Sequence, residues 1–314
     1  MPATEPKSHH FVQKAYLDSF SDPQPRKRSA EPFLSVYSPK KEVRYQTTKE
    51  CATENYFYCF DNGGVRSFEV EHAIADLENH SLPLLVRAQQ GALPASDQAR
   101  LSLAGYIALA ATRTPTAMSI FNQVAINAQV NALREIANVP GKLEAILREC
   151  ETESGERIDP DEERRKLKAG KMRAVITERD WSLRCMFEET LRMQSRLVKM
   201  DWTLIRAKGA FFLTSDFPVL LSNPLQSGHV HKGVESADFL FPISRDTCLA
   251  GGTGFGREDL VVTDAAQVRN INLALIKRAD RFVFSPFRAP YVQQKLDQSF
   301  EVREASKVSD VIQL

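Results

Sequence analysis

The chain has 314 residues, 43% hydrophobic and 26% charged, an ordinary globular composition that excludes an intrinsically disordered or fibrous protein. A formal net charge of +1 excludes a protein that holds polyanions through bulk charge and leaves only a local basic face open. No apolar stretch reaches the length of a membrane span and the N-terminus lacks the charged-then-apolar pattern of a signal peptide, so a cytoplasmic protein without membrane contact is expected.

Near the N-terminus, Tyr16, Leu17 and Phe20 fall at helical spacing, which predicts a tied-down amphipathic segment with His9 and His10 at its leading edge. Arg26-Lys27-Arg28 lies among prolines and reads as a solvated basic loop. Phe33 to Tyr37 alternates as a strand, Ser38-Pro39-Lys40-Lys41 turns, and Val43 to Tyr45 returns, which makes a β-hairpin. Ser67 then caps a helix through Glu71, Ile74, Leu77 and Glu78 that Pro83 disturbs. Its buried stripe is Val70, Ile74, Leu77 and Ser81, and Glu71 and Glu78 lie one above the other at the border. Such a pair serves acid/base work, a cation or an arginine partner.

Ser96 or Asp97 opens a helix from Gln98 to Thr112 that is apolar almost all round and therefore central. It ends at Arg113-Thr114-Pro115, and a guanidinium there needs a carboxylate from Glu71, Glu78 or Asp216. Helix continues from Thr116 to Cys150 with a break at Val139-Pro140-Gly141. Asp159-Pro160 then starts a long helix toward Met200, whose Arg164, Arg165, Lys166, Lys168, Lys171 and Arg173 are interleaved with acids. A solvated face explains that pattern slightly better than a nucleic-acid face.

After Met200 the period becomes alternating. Strands are expected at Trp202 to Arg206, Phe211 to Thr214, Val219 to Leu221, Phe239 to Ile243, Thr247 to Ala250 and Phe282 to Ser285, with a helix from Asp264 to Ala279 capped by Thr263. The expected fold class is α+β: a single domain over 1–314, in which a helical central region (67–200) packs with a mainly antiparallel β-sheet built from the N-terminal hairpin (1–66) and the C-terminal strands (201–314).

Asp216 follows the apolar run Phe211-Phe212-Leu213 and precedes a proline turn, a position suited either to presenting a catalytic acid or to shaping the corner as an Asx-turn. Gly228-His229-Val230-His231 reads as loop histidines, and Gly251 to Gly256 as a flexible turn without a P-loop lysine. The five cysteines contain no Cys-x-x-Cys pair and read as reduced thiols. No metal motif and no cofactor fingerprint is present, so no cofactor is expected.

His9-His10-Phe11-Val12 with Tyr16-Leu17-Asp18-Ser19-Phe20, the Arg113-Thr114-Pro115 helix end, and Ser215-Asp216-Phe217-Pro218-Val219 followed by Phe241-Pro242-Ile243-Ser244 together resemble the bacterial family called domain of unknown function 4238. The resemblance spans nearly the whole chain, with Gln13 standing where family members commonly carry proline. It implies a role in phage defence as a DNA glycosylase that excises a glucosylated hydroxymethylcytosine base from double-stranded phage DNA, leaving abasic sites. That chemistry needs a carboxylate, a polar donor and basic groups. In this reading Asp216 activates water or stabilises the sugar cation, His10 donates to the leaving base, and Glu71 and Glu78 complete the catalytic set. His9, Arg113, Ser215, Asn223 and Lys41 contact substrate. A metal-dependent nuclease using His9, His10 and the acids, and a non-catalytic nucleic-acid-binding defence sensor using the basic helix, are the alternatives. The oligomeric state is left open.

Overall fold

The computed structural model describes residues 7–24, 31–62, 65–155, 157–169, 179–221, 237–252 and 260–312. The chain divides into two compact units, one built from residues 1–116 and 186–314, the other from residues 117–185.

The first unit begins with β1 (Ser8–His10), α1 (Lys14–Asp18), β2 (Phe33–Tyr37), β3 (Arg44–Thr47), a 3-10 turn (Thr48–Glu50), β4 (Thr53–Asn55), β5 (Phe60–Asn62) and β6 (Val65–Ser67). The histidines therefore sit on a strand rather than at the front of a helix: β1 pairs antiparallel with β4, His9 opposite Glu54 and His10 opposite Thr53. Next come α2 (Glu69–Gln89) and α3 (Asp97–Thr112). α2 continues past Pro83, because Leu85 and Ala88 beyond the proline are fully buried and hold the helix against its neighbours. α3 starts where Ser96 accepts the Ala99 N–H at 3.2 Å, and its residues from Leu103 to Thr112 are all buried.

α4 (Pro115–Ala137) leads into the second unit, where α5 (Lys142–Ser154) and α6 (Pro160–Lys168) follow, and α7 (Arg179–Leu197) leads out of it. The Val139 to Gly141 break falls where expected, with Gly141 in the left-handed region at φ 77°. In this unit Leu143 packs with Leu133 and Leu147, and Arg164 of α6 bonds Glu144 and Asp161. Lys166 pairs with Glu162 at 2.8 Å and Glu163 at 2.7 Å, so these basic side chains are matched by acids of their own surroundings. Lys171 and Arg173 lie outside the described residues, as does the middle of the expected long helix.

The remaining elements are β7 (Asp201–Ala207), β8 (Thr214–Ser215), β9 (Leu220–Leu221), β10 (Phe239–Pro242), β11 (Thr247–Gly252), β12 (Leu260–Thr263), α8 (Ala265–Arg278), β13 (Val283–Ser285) and α9 (Pro290–Ile312). They form two sheets with the hairpin rather than one. The order is β12-β7-β11-β10-β9 in the larger and β3-β2-β13-β8 in the smaller, antiparallel throughout except for β12 on β7. An α+β architecture with a hairpin completed by C-terminal strands is what the alternating and helical periods predict.

Three local departures have clear causes. Residues 211–213 are not strand, because Asn272 takes over their backbone: its Oδ1 accepts the Leu213 N–H and its Nδ2 donates to Phe211 O, both at 2.9 Å. Of the expected 251–256 turn, Gly251 and Gly252 instead end a buried strand, where a Cβ on Gly251 would stand 2.4 Å from the Phe239 ring, and residues 253–256 lie outside the described residues. α8 is capped by Asp264, which accepts the Gln267 N–H at 3.0 Å, one residue later than the Thr263 cap. Below the smaller sheet, Tyr37, Leu213, Ile276, Val283, Val292 and Leu296 form a core with α8 and α9.

Candidate functional site

Two neighbouring residues of a strand point to opposite sides, and two residues seven apart on a helix point to the same side about 10 Å apart along the axis. β1 and α2 combine these rules: His9 meets Glu71, and His10 stands in the field of Glu78. The result is two stations joined by the backbone of β1, with Tyr58 between them. Its hydroxyl lies 3.3 Å from His10 O and 3.4 Å from Arg113 O, within donating distance of both.

At the first station His9 has no exposed surface. The Tyr58 backbone N–H donates to its Nδ1 at 3.2 Å, which places the ring's own proton on Nε2, 4.0 Å from Cys59 Sγ. Glu71 approaches the same Nδ1 at 3.5 Å. His9 is thereby a buried core histidine, its ring stacked on Tyr58 at 5.8 Å between centroids. A substrate contact for His9 is not what this burial provides.

The second station carries the charge. Arg113, at the end of α3, is 2% exposed, and its Nη1 donates to Glu78 Oε1 at 2.5 Å. Burial pulls its pKa down, but Glu78 and the Tyr58 and Tyr106 oxygens more than reverse this and keep it charged. Of the three carboxylates the sequence offered as Arg113's partner, Glu78 is the one. Burial pushes Tyr58 and Tyr106 up, so both stay neutral. Tyr106 donates to Gln13 Oε1 at 2.6 Å, and Tyr16 bonds Pro242 O and Thr214 Oγ1, both at 2.7 Å, which ties the segment after the histidines to the larger and smaller sheets.

His10 adds an unsatisfied nitrogen to this station. Burial and then Arg113 lower its pKa, while hydrogen bonds to the Lys49 and Thr48 backbone and the charge of Glu78 push the other way. A neutral imidazole has one N–H, which those backbone acceptors take, and one lone pair. Its Nε2 is sealed from solvent and has no hydrogen-bond partner, and neither has Arg113 Nε. A basic lone pair and an N–H donor are thus held unspent in one buried polar cluster, beside a carboxylate.

Asp216 has partners of its own. It is 2% exposed and its carboxylate accepts the backbone N–H groups of Asp280, Arg281 and Phe282 at 3.0, 2.6 and 3.0 Å. Burial lifts its carboxyl to about 6 against these donors. Of the two readings open in the sequence, corner-shaping is the one this geometry expresses, and His10 and Asp216 share no hydrogen bond or ion pair among the described residues. Ser215 is likewise occupied, donating to Phe217 O and accepting its N–H in the same turn. Lys41 is exposed on the β2–β3 turn, and Asn223, His229 and His231 lie outside the described residues. Among the described residues no three His, Cys, Asp or Glu side chains converge as metal ligands, and strand alternation sends His9 and His10 apart.

Tyr58, Tyr106 and Gln13 belong to the cluster and were not picked out from the sequence. One signal was present: Tyr106 is the only ring hydroxyl in an otherwise apolar helix, and a buried hydroxyl needs a partner.

A family model described as "Protein of unknown function (DUF4238)" matches residues 8–287, which include every residue of the cluster. No curated protein and no solved structure matches.

Proposed function

The chain belongs to the family described as protein of unknown function DUF4238, and from the geometry of its N-terminal cluster we propose that it is a hydrolase with His10 as general base, acting on the N-glycosidic bond of a modified base in phage DNA. The observation that carries this reading is the unspent, solvent-sealed Nε2 lone pair of a neutral His10 beside Arg113 and Glu78. A group held without a partner in a buried polar cluster is costly unless a ligand completes it.

His10 Nε2 takes a proton from water as the water oxygen attacks the sugar's anomeric carbon. The bond from that carbon to the base breaks, and its electron pair leaves with the base. Arg113 Nε–H donates toward the oxygen on which that charge settles. Glu78 keeps Arg113 aligned and adds negative charge near the sugar cation that develops. Asp216 has no part in these steps; it holds the corner between residues 216 and 280–282. No helix among the described residues is long and apolar enough to cross a membrane, and a cytoplasmic location suits an enzyme that meets phage DNA.

Incubation with phage DNA carrying glucosylated hydroxymethylcytosine, followed by an aldehyde-reactive probe, tests the reading. Abasic sites should form with and without chelator, and His10→Asn should abolish them. Strand cleavage that a chelator stops would identify a metal-dependent nuclease instead. Abasic sites formed by His10→Asn at the wild-type rate would sink the assignment.

A further inference from the structure

A concavity lies over the smaller sheet. Its volume is about 190 Å³, and Asp22, Ser35, Arg44, Tyr45, Phe287 and Arg288 are among its walls. The floor is a cross-strand row in which Ser35 of β2 stands between Tyr45 of β3 and Ser285 of β13. Ser35 is 4% exposed, so its hydroxyl is set at the bottom of the cavity rather than on an open surface.

The walls are fixed. Ser285 Oγ donates to Phe287 O at 2.6 Å, Tyr37 Oη donates to the same oxygen at 3.3 Å, and the Ala289 N–H donates to Tyr37 Oη at 2.6 Å. These bonds pin the 286–288 loop on both sides of Arg288. Opposite, Tyr45 is stacked on Phe33 with centroids 4.9 Å apart and donates to Asp22 Oδ2 at 3.0 Å. Asp22 Oδ1 accepts the Gln24 N–H at 2.8 Å, so both carboxylate oxygens are oriented and each keeps a lone pair for one more donor.

Arg44 and Arg288 have no carboxylate partner among the described residues, although acids are nearly as numerous as bases in the chain. Most other arginines of the first unit in the described residues are occupied: Arg113 by Glu78, Arg192 by Glu188 and Glu189, Arg281 by Glu54, Arg245 by Asp246, Arg206 by Gln89 O. Two unpaired guanidiniums on facing walls of one cavity make a doubly cationic rim, and the planar fork of arginine matches the oxygens of a phosphate. Below that rim the lining is aromatic and hydroxylic, which a bare anion does not need.

We propose that this cavity binds a nucleotide through its phosphate, with Arg44 and Arg288 on the phosphate, the flat ring against Tyr45 and Phe287, and Asp22 accepting from a sugar hydroxyl or ring amino group. The volume is smaller than the ~300–1,000 Å³ of a typical enclosed ligand pocket, which suits a single nucleotide with part of its surface in solvent. The site stands independently of any chemistry at His10. A free mononucleotide and the terminal nucleotide of a DNA strand share the chemistry, so the test separates them.

Titration calorimetry on the full chain uses adenosine 5′-monophosphate, adenosine, and a 5′-phosphorylated dodecadeoxynucleotide as probes. The monophosphate should bind with a Kd of about 1 mM or tighter, adenosine should not, and the exposed double change Arg44→Ala/Arg288→Ala should weaken binding about tenfold or more while leaving the melting temperature unchanged. If the dodecamer displaces the monophosphate, and 5′-dephosphorylation removes that competition, the ligand is a strand end. If it does not compete, the ligand is a free nucleotide. Absence of binding by both phosphorylated probes, equal binding of adenosine, or an unchanged Kd in the double variant overturns the proposal.

Discussion

Glu78→Gln is the sharpest perturbation of the cluster, because it removes a charge while keeping size and shape. Arg113 would remain 2% exposed with an amide in place of its carboxylate, and its Nε already lacks a partner. Breaking a buried pair by neutralising one member costs about 3–5 kcal/mol. The Glu78 side chain is 17% exposed, so water can approach the site and the lower end applies, about 3 kcal/mol. For a chain of 314 residues, with an unfolding entropy of about 2.1 cal/mol/K per residue, that is a fall in melting temperature of roughly 4–5 °C. Thermal unfolding followed by circular dichroism at pH 7 measures it. The double change Glu78→Leu/Arg113→Met removes both charges and should recover most of the loss, since apolar replacements of a buried pair are often neutral. A Glu78→Gln protein melting within about 2 °C of the parent, or a double variant no better than the single, would refute the claim that this pair holds an otherwise uncompensated buried charge.

Other outcomes follow from groups described above. Burial raises the Asp216 carboxyl from 3.8 to about 6, so the folded state holds that proton more tightly than the unfolded chain. Its contribution to stability is complete below about pH 4 and is lost as the pH rises to about 6, and urea unfolding of the parent and of Asp216→Asn across that window should differ in slope. Tyr16→Phe removes a hydroxyl that donates to Pro242 O and accepts from Thr214, leaving one buried acceptor and one buried donor behind; a loss of about 1–3 kcal/mol in urea denaturation is expected. Gly251→Ala would set a methyl 2.4 Å from the Phe239 ring and 2.9 Å from Asp201 O, where backbone does not yield, and about 1–3 kcal/mol should be lost in the same assay.

Periodicity carried most of the helices, because α3 and α8 bury a face that the spacing of Leu, Ile and Ala announces and have caps written in the adjoining residues. It failed where a distant side chain supplies what a neighbour in sequence cannot. Nothing local to Phe211-Phe212-Leu213 says that Asn272 will satisfy its backbone instead of a partner strand. Nothing local to His10 says that β4 will pair with its strand, since Thr53-Glu54-Asn55 has the composition of a turn. Within the site, the helical spacing of Glu71 and Glu78 pointed to a shared face, and Arg113 needed a carboxylate. The choice among three acids was beyond sequence, because it depends on how α2 lies against α3. Asp216 shows the limit from the other side. An acid at a rigid strand end suits catalysis and turn-making equally well, and only the three N–H groups of residues 280–282 decide.

The smaller sheet has a consequence for how the protein is made. Ser35 pairs with Ser285, so β2 must wait for roughly 250 residues of later chain before its second neighbour exists. At synthesis rates of about 5–20 residues per second the wait is roughly 12–50 s. Throughout it, Leu34, Val36 and Tyr37, which end fully covered, are presented on a nascent hairpin with an open hydrogen-bonding edge. Shielding that edge until residues 283–285 have been delivered should raise the yield of folded chain.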